Sequence, residues 1–553
     1  MSEPALVPAT IEAIARWQGI ALPNAAARHG LAELEGLIAA LAALRGSLRF
    51  EEEPADFAAA LAECRDAPLQ RVAASPSAPP EGPLHALSMT EAADAIARGE
   101  ISAEALIEAC LARIARHDGA VNSVIRLDAE AAREAARAVD VMRAEGRRLP
   151  PLAGVPMMHK DMFYRQGRVS TCGSRIRRDF VPTVTATVLS RLDDAGAIDM
   201  GTLNMAEFAQ NPTGHNAHFG HCRNPWHGDY CPGGSSSGSG AAVAARFVTA
   251  ALGSDTGGSI RLPAALCGVT GLKPTQTRVP RSGVMPLSFS ADHVGPIART
   301  ARDCARFLRE VAGHCPEDPT SAREPVPDYE AMLSGDIRGL SVAVIEEGFL
   351  DGADAAVLAA FEGALDLLRG LGARIERIAV PEMAAITAYG AVVSRAEAAA
   401  IHAAWMRECP GDYAIHLSAR LYGGYALPAS LYIEALSRRG ALLRAFCDRA
   451  LTRHQLVATP TLRIRAPTLA ETDIDADPAN WGRFMAIPAN TRPFNYLGLP
   501  AISIPCGFDP AGLPIGLQLA ARPFGEGRLL LAADAFQRAS DWHRRGPPLA
   551  AAP

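Results

Sequence analysis

With 553 residues, 49% hydrophobic and 21% charged, the chain has a globular balance and is too long for one ordinary core. A formal net charge of -6 argues against a nucleic-acid partner, because phosphate contacts need a basic face. The opening residues lack a charged-then-apolar leader, no apolar run reaches membrane-spanning length, and the 11 cysteines include no C-x-x-C pair. The expectation is a cytoplasmic protein with reduced thiols and no membrane association.

In chain order, residues 1–66 predict a small helical module. Leu31, Leu34, Leu37, Ile38, Leu41 and Leu44 recur at helical spacing, and Ala59, Leu61 and Cys64 continue a second short stripe. The Pro/Ala/Ser-rich stretch 67–86 reads as an extended linker. Residues 87–553 then form the main domain. Ser88 and Glu91 stand at capping-box spacing, and a helix follows Ser102. Short, nearly continuous apolar runs at 121–127, 154–159, 197–202, 340–346, 373–380, 455–460 and 501–506 predict strands buried on both faces. Amphipathic helices separate them. The predicted class is α/β, a mixed central sheet with helices on both faces.

The run 232–268, PGGSSSGSGAAVAARFVTAALGSDTGGSIRLPAALCG, holds two Gly/Ser clusters around an apolar segment. The first cluster alone fits a flexible linker equally well, and no phosphate-loop or dinucleotide fingerprint is present. The second differs. Gly257 and Gly258 allow the backbone to aim N–H groups at a point beside the Ser259 hydroxyl, which is what an oxyanion hole requires. Serine needs a base to act as a nucleophile. Lys160, directly after the apolar run 154–159, can serve if burial neutralises it. A Lys160–Asp161 surface pair at a strand end is the competing reading.

Taken together, the motifs resemble the amidase signature family, in that family's order. G-V-P-x-x-x-K-D spans Gly154 to Asp161, P-G-G-S-S spans Pro232 to Ser236, and G-S-D-T-G-G-S-I-R-x-P-A-A-x-C-G spans Gly253 to Gly268. GLKPT, DHVGPIART and RPFNYLGLPAISIPCG follow, so the resemblance covers roughly 88–545. It implies a nucleophile at Ser259, a bridging serine on a cis peptide at Ser235 and a base at Lys160. It also implies oxyanion N–H groups on Thr256, Gly257, Gly258 and Ser259, with Asp255, Arg261 and Ser236 supporting the turn. No cofactor or metal is implied. One departure stands out: Ser237 replaces a glycine common in the family after the paired serines. Residues 17–44 resemble the small helical accessory subunits of tRNA-dependent amidotransferases and of carboxybiuret hydrolase, which suggests a fused accessory module.

Other groupings are weaker. His215, His218 and His221, with Cys222, match no closed zinc spacing. Cys267 lacks an oxyanion turn and reads as a buried thiol, and Trp226 reads as a packing anchor. Tyr389 and Arg395 lie where family members contact substrate, although a solvated helix arginine is the plainer reading of Arg395. The leading expectation is a hydrolase that cleaves a small-molecule carboxylic amide, or a related urea, carbamate or anilide. The alternatives are a glutamine-hydrolysing A-type subunit of a tRNA-dependent amidotransferase and an inactive binding protein of the same fold. A homo-oligomer is compatible with the sequence.

Overall fold

Successive residues of a strand point to opposite faces, so a strand apolar on both faces must feed two cores. Met157, Ala250, Leu252, Val342 and Val344 enter one core. Their neighbours Met158 and Ala251 enter a second, and Ala343 and Ile345 a third. Helices 103–121 and 129–144 cover the second core, and helices 301–311, 355–370 and 526–538 contribute to the first.

The computed structural model describes residues 6–44, 48–49, 51–72 and 82–549. Of the expected linker, residues 73–81 lie outside this set. The strands are β1 (Val124–Leu127), β2 (Pro156–Lys160), β3 (Ile198–Leu203), β4 (Ala250–Asp255), β5 (Thr270–Lys273), β6 (His293–Ala298), β7 (Ser341–Ile345), β8 (Arg374–Ile378), β9 (Leu456–Pro460), β10 (Ala501–Phe508) and β11 (Pro514–Ala520). They form one 11-stranded sheet in the order β1-β3-β2-β4-β6-β5-β10-β11-β9-β7-β8. Pairing is parallel at β3-β2-β4 and at β9-β7-β8, and antiparallel elsewhere. The fold is the mixed α/β class predicted.

All seven predicted strands are present, but β4, β5, β6 and β11 escaped the sequence reading. Each carries a glycine that breaks the β-branched pattern. The predicted capping box is also present: Ser88 Oγ accepts from Glu91 N, and Glu91 Oε2 accepts from Ser88 N at 2.8 Å.

Residues 1–66 contain the helices Leu6–Gln18, Ala26–Leu41 and Asp56–Glu63. Their apolar stripes are covered by the rest of the chain. Val7, Ile14 and Leu31 share a core with Leu417, Leu421 and Tyr422, while Leu41, Phe57 and Leu61 share one with Leu431, Leu443 and Phe446. Among the described residues no helix is long and apolar enough to cross a membrane. All cysteines are free thiols, and all but the half-buried Cys409 are buried.

Candidate functional site

Lys160 ends β2, which lies between β3 and β4 in the interior of the sheet. Its side chain is fully buried, with Nζ 2.6 Å from Ser235 Oγ and 2.8 Å from Ser254 Oγ. Burial pushes its pKa down to about 7, against the opposing pull of Asp292 and Asp255. Lys160 can therefore be neutral at physiological pH. The surface-pair reading of Lys160 and Asp161 does not hold: Asp161 is buried too, and accepts from the backbone N–H and the hydroxyl of Thr171. Ser254 was missed in the sequence because it sits inside β4, one of the unread strands.

Ser235 follows a cis Gly234–Ser235 peptide and directly precedes Ser236, the N-cap of helix Ser237–Ala244. Ser236 ties this loop to β4, since its hydroxyl donates to Ser254 O at 3.2 Å and accepts from Ser254 N at 3.3 Å. The Ser237 hydroxyl points instead at Asn204 O, 3.4 Å away. The departure from glycine at this position thus leaves the Lys160–Ser235 contact in place.

The turn after β4 is organised by one carboxylate. Asp255 accepts from Gly258 N at 2.8 Å, from Ile260 N at 3.2 Å, and from Arg261 Nε and Nη2, each at 3.0 Å. Both side chains of this ion pair are completely buried. Burial alone would raise the Asp255 carboxyl, but Arg261, Lys273 and Asn495 outweigh it and hold the group well below the usual carboxylate range. Gly258 adopts φ +130°, and a Cβ there would stand 2.2 Å from Thr491 Oγ1, so only glycine fits. Ser259 emerges from this turn half-buried at the edge of a cavity.

The geometry narrows the expected oxyanion set. The Gly258 N–H is committed to Asp255 and is not aimed at the cavity. Thr256, Gly257 and Ser259 line the cavity and remain the candidate donors. Asn495 and Thr491 complete the turn. Asn495 Nδ2 donates to Asp255 O and Oδ1, and Thr491 Oγ1 donates to Gly257 O at 2.6 Å. Both lie more than 200 residues from Asp255, so local spacing gave no signal for them.

The cavity has a volume of about 60 Å³ and opens partly to solvent. Its wall carries three guanidiniums, Arg420, Arg439 and Arg492, alongside Ser259. Burial pushes them down to about 10, 10 and 9 respectively, so all stay cationic at neutral pH. Arg420 donates to Gln210 O at 2.8 Å, and Arg439 to Tyr496 O at 2.5 Å, both neutral acceptors. Among the described residues no carboxylate forms an ion pair with any of the three. Sequence reasoning did not find them, because they come from separate helices with no shared motif.

Arg395 is not the solvated arginine expected. Its side chain is 15% exposed and pairs with Glu33 at 3.3 Å. Tyr389 donates to Glu434 at 2.9 Å and does not line the cavity. Cys267 is buried, with its thiol pushed up, and Trp226 donates to Cys267 O at 2.8 Å while packing on Phe508. The histidine run does not converge as a set. His218 turns to Glu207 at 2.9 Å and Cys222 enters the core, whereas His215 and His221 meet Asp473 with ligand atoms within 4.8 Å of one another. His215 Nε2 already contacts Leu469 O and Thr472 Oγ1, both at 3.1 Å.

Known proteins resemble this chain in sequence and in fold. The family model described as Amidase matches residues 105–530. The A-type subunit of glutamyl-tRNA(Gln) amidotransferase from Roseiflexus sp. (strain RS-1) is 42% identical over 84% of this chain and 99% of its own. The corresponding protein from Moorella thermoacetica is 42% identical over 85% of this chain and 100% of its own. Among solved structures, a vestigial protein complex that reveals the evolutionary origins of an s-triazine catabolic enzyme matches with TM-score 0.75 and 35% identity, covering 82% of this chain and 98% of that one. The A-type subunit of glutamyl-tRNA(Gln) amidotransferase from Thermotoga maritima matches with TM-score 0.72 and 30% identity, over 85% and 99%.

Proposed function

The chain belongs to the amidase signature family of carbon–nitrogen hydrolases, and on that premise we propose that it cleaves a small carboxylate-bearing amide, or a related urea or carbamate, through an acyl-enzyme on Ser259. The observation that carries this reading is the buried Lys160, with its pKa near 7 and its amine 2.6 Å from Ser235.

Neutral Lys160 takes a proton from Ser235 as Ser235 takes one from Ser259. The freed Ser259 oxygen attacks the carbonyl carbon, and the developing oxyanion meets the N–H groups of Thr256, Gly257 and Ser259. Lys160 returns its proton through Ser235 to the leaving nitrogen, and the C–N bond breaks. Water then enters by the same relay in reverse and releases the acid. Arg420, Arg439 and Arg492 supply the substrate class. One buried and two half-buried cations with no ion-paired carboxylate among the described residues favour an anion, and guanidinium presents a fork that matches a carboxylate.

Glutamine fits this chemistry, since it carries an amide and a carboxylate. The second reading, a glutamine-hydrolysing component of an amidotransferase, is favoured by the near full-length identity to such proteins. Ammonia release from glutamine, succinamate, propanamide and a carboxylated biuret tests both. Carboxylate-bearing compounds should outpace propanamide by roughly tenfold to a hundredfold, the worth of one charge-assisted hydrogen bond. Preference for propanamide would contradict the substrate class. Turnover of glutamine alone, rising when the other amidotransferase components are added, would select the amidotransferase reading.

A further inference from the structure

The cavity's positive charge is met from an unexpected direction. Glu33 belongs to the N-terminal helix Ala26–Leu41, which packs across helix Ile415–Gly424. At the crossing, a Cβ on Gly30 would stand 3.0 Å from Ala419 O, so glycine lets the two backbones touch. Glu33 lies three residues on, on the same face of its helix, and Arg420 follows Ala419 directly. The Glu33 carboxylate accepts from Arg395 Nη2 at 3.3 Å and from the Trp481 indole. Its charge also acts at longer range on Arg420 and Arg492. Despite three cationic neighbours its pKa is raised, because burial outweighs them.

We infer that Glu33 sets the charge the cavity accepts: by neutralising Arg395 and offsetting Arg420 and Arg492, it restricts the site to substrates with a single carboxylate. This rests on the carboxylate reading of the cavity. Glu33 acts through the arginines and does not itself line the cavity, so it is a positioning residue. The N-terminal helices are thereby part of the specificity machinery as well as of the packing. A second carboxylate on the substrate would face Glu33 across the same guanidiniums, with like charges competing for one set of donors.

The test uses the full-length protein and two probes, propionate as a monoanion and succinate as a dianion. Each is titrated as a protector of Ser259 against a fluorophosphonate. Glu33→Gln should improve protection by succinate relative to propionate by about tenfold or more, the scale of one charge-assisted contact. Glu33→Asp, which keeps the charge, should retain the parental ratio, whereas a purely structural role would move both variants with their melting temperatures. If Glu33→Gln does not fold, Arg395→Gln replaces it and should shift the ratio the other way, against succinate. Protection by both anions at an unchanged ratio in the charge variants would overturn the role of Glu33 and leave the carboxylate site standing. Failure of both anions to protect the parent would instead remove the carboxylate reading, and this inference with it.

Discussion

In the proposed mechanism Lys160 is the base because burial lowers its pKa to about 7. Both lysines of the chain, Lys160 and Lys273, are fully buried with no carboxylate in contact, but Lys160 is held by two serine hydroxyls whereas Lys273 donates to the carbonyls of Pro274 and Leu499. A base of this kind works only when unprotonated. With burial setting its pKa near 7, kcat/KM should fall about tenfold for each pH unit below that value and level off above it. A profile flat from pH 5 to 9 would remove Lys160 from the proton path. Lys160, Ser235 and Ser259 were singled out in the sequence through the family resemblance, and the structure brings Lys160 and Ser235 into contact. The sequence did not disclose Ser254 as the second partner of the amine, nor that the Gly258 N–H is already taken by Asp255. Both depend on how β4 runs into the turn.

At the scale of elements, the turn that carries Ser259 is a strand end held by a buried ion pair. Asp255 spends its oxygens on the turn's own N–H groups and on Arg261, and Arg261 reaches on to Thr491 O, Gln518 and Asn495. Arg261→Met should cost about 3–5 kcal/mol, because it strands a fully buried carboxylate. The same variant should lose activity even where it remains folded, since the Ser259 backbone is set by this pair. Denaturant unfolding measures the first effect and fluorophosphonate labelling the second. A loss below about 1 kcal/mol would show that water reaches the pair. The strands invisible to pattern reading, β4, β5, β6 and β11, belong to the central and antiparallel stretch of the sheet that frames this turn. There glycine and alanine replace β-branched residues, and the periodic signal goes with them.

At the scale of the molecule, the N-terminal helices buttress the cavity from outside. Phe57 stacks on Arg439 with the guanidinium carbon 3.7 Å from the ring centre, and Arg444 clasps Asp56 at 2.7 and 2.8 Å. Phe57→Ala should destabilise the protein by about 3 kcal/mol and weaken propionate protection of Ser259, because the ring both fills a core and holds a cavity arginine. Unchanged protection would place Arg439 outside the binding wall. The helix Ala26–Leu41 was legible from leucine spacing. That the buried residues of 1–66 join the cores of the catalytic region was not, because the partners lie near residues 417–446.

The central claim is that Ser259 is the nucleophile of a Ser-Ser-Lys hydrolase. Mass mapping of the fluorophosphonate adduct tests it most directly, on the parent, Ser259→Ala and Lys160→Ala. The predicted result is one adduct on the peptide containing Ser259, absent from Ser259→Ala and formed at least about a thousandfold more slowly in Lys160→Ala. An adduct that persists in Ser259→Ala, or one mapped to another residue in the parent, would contradict it.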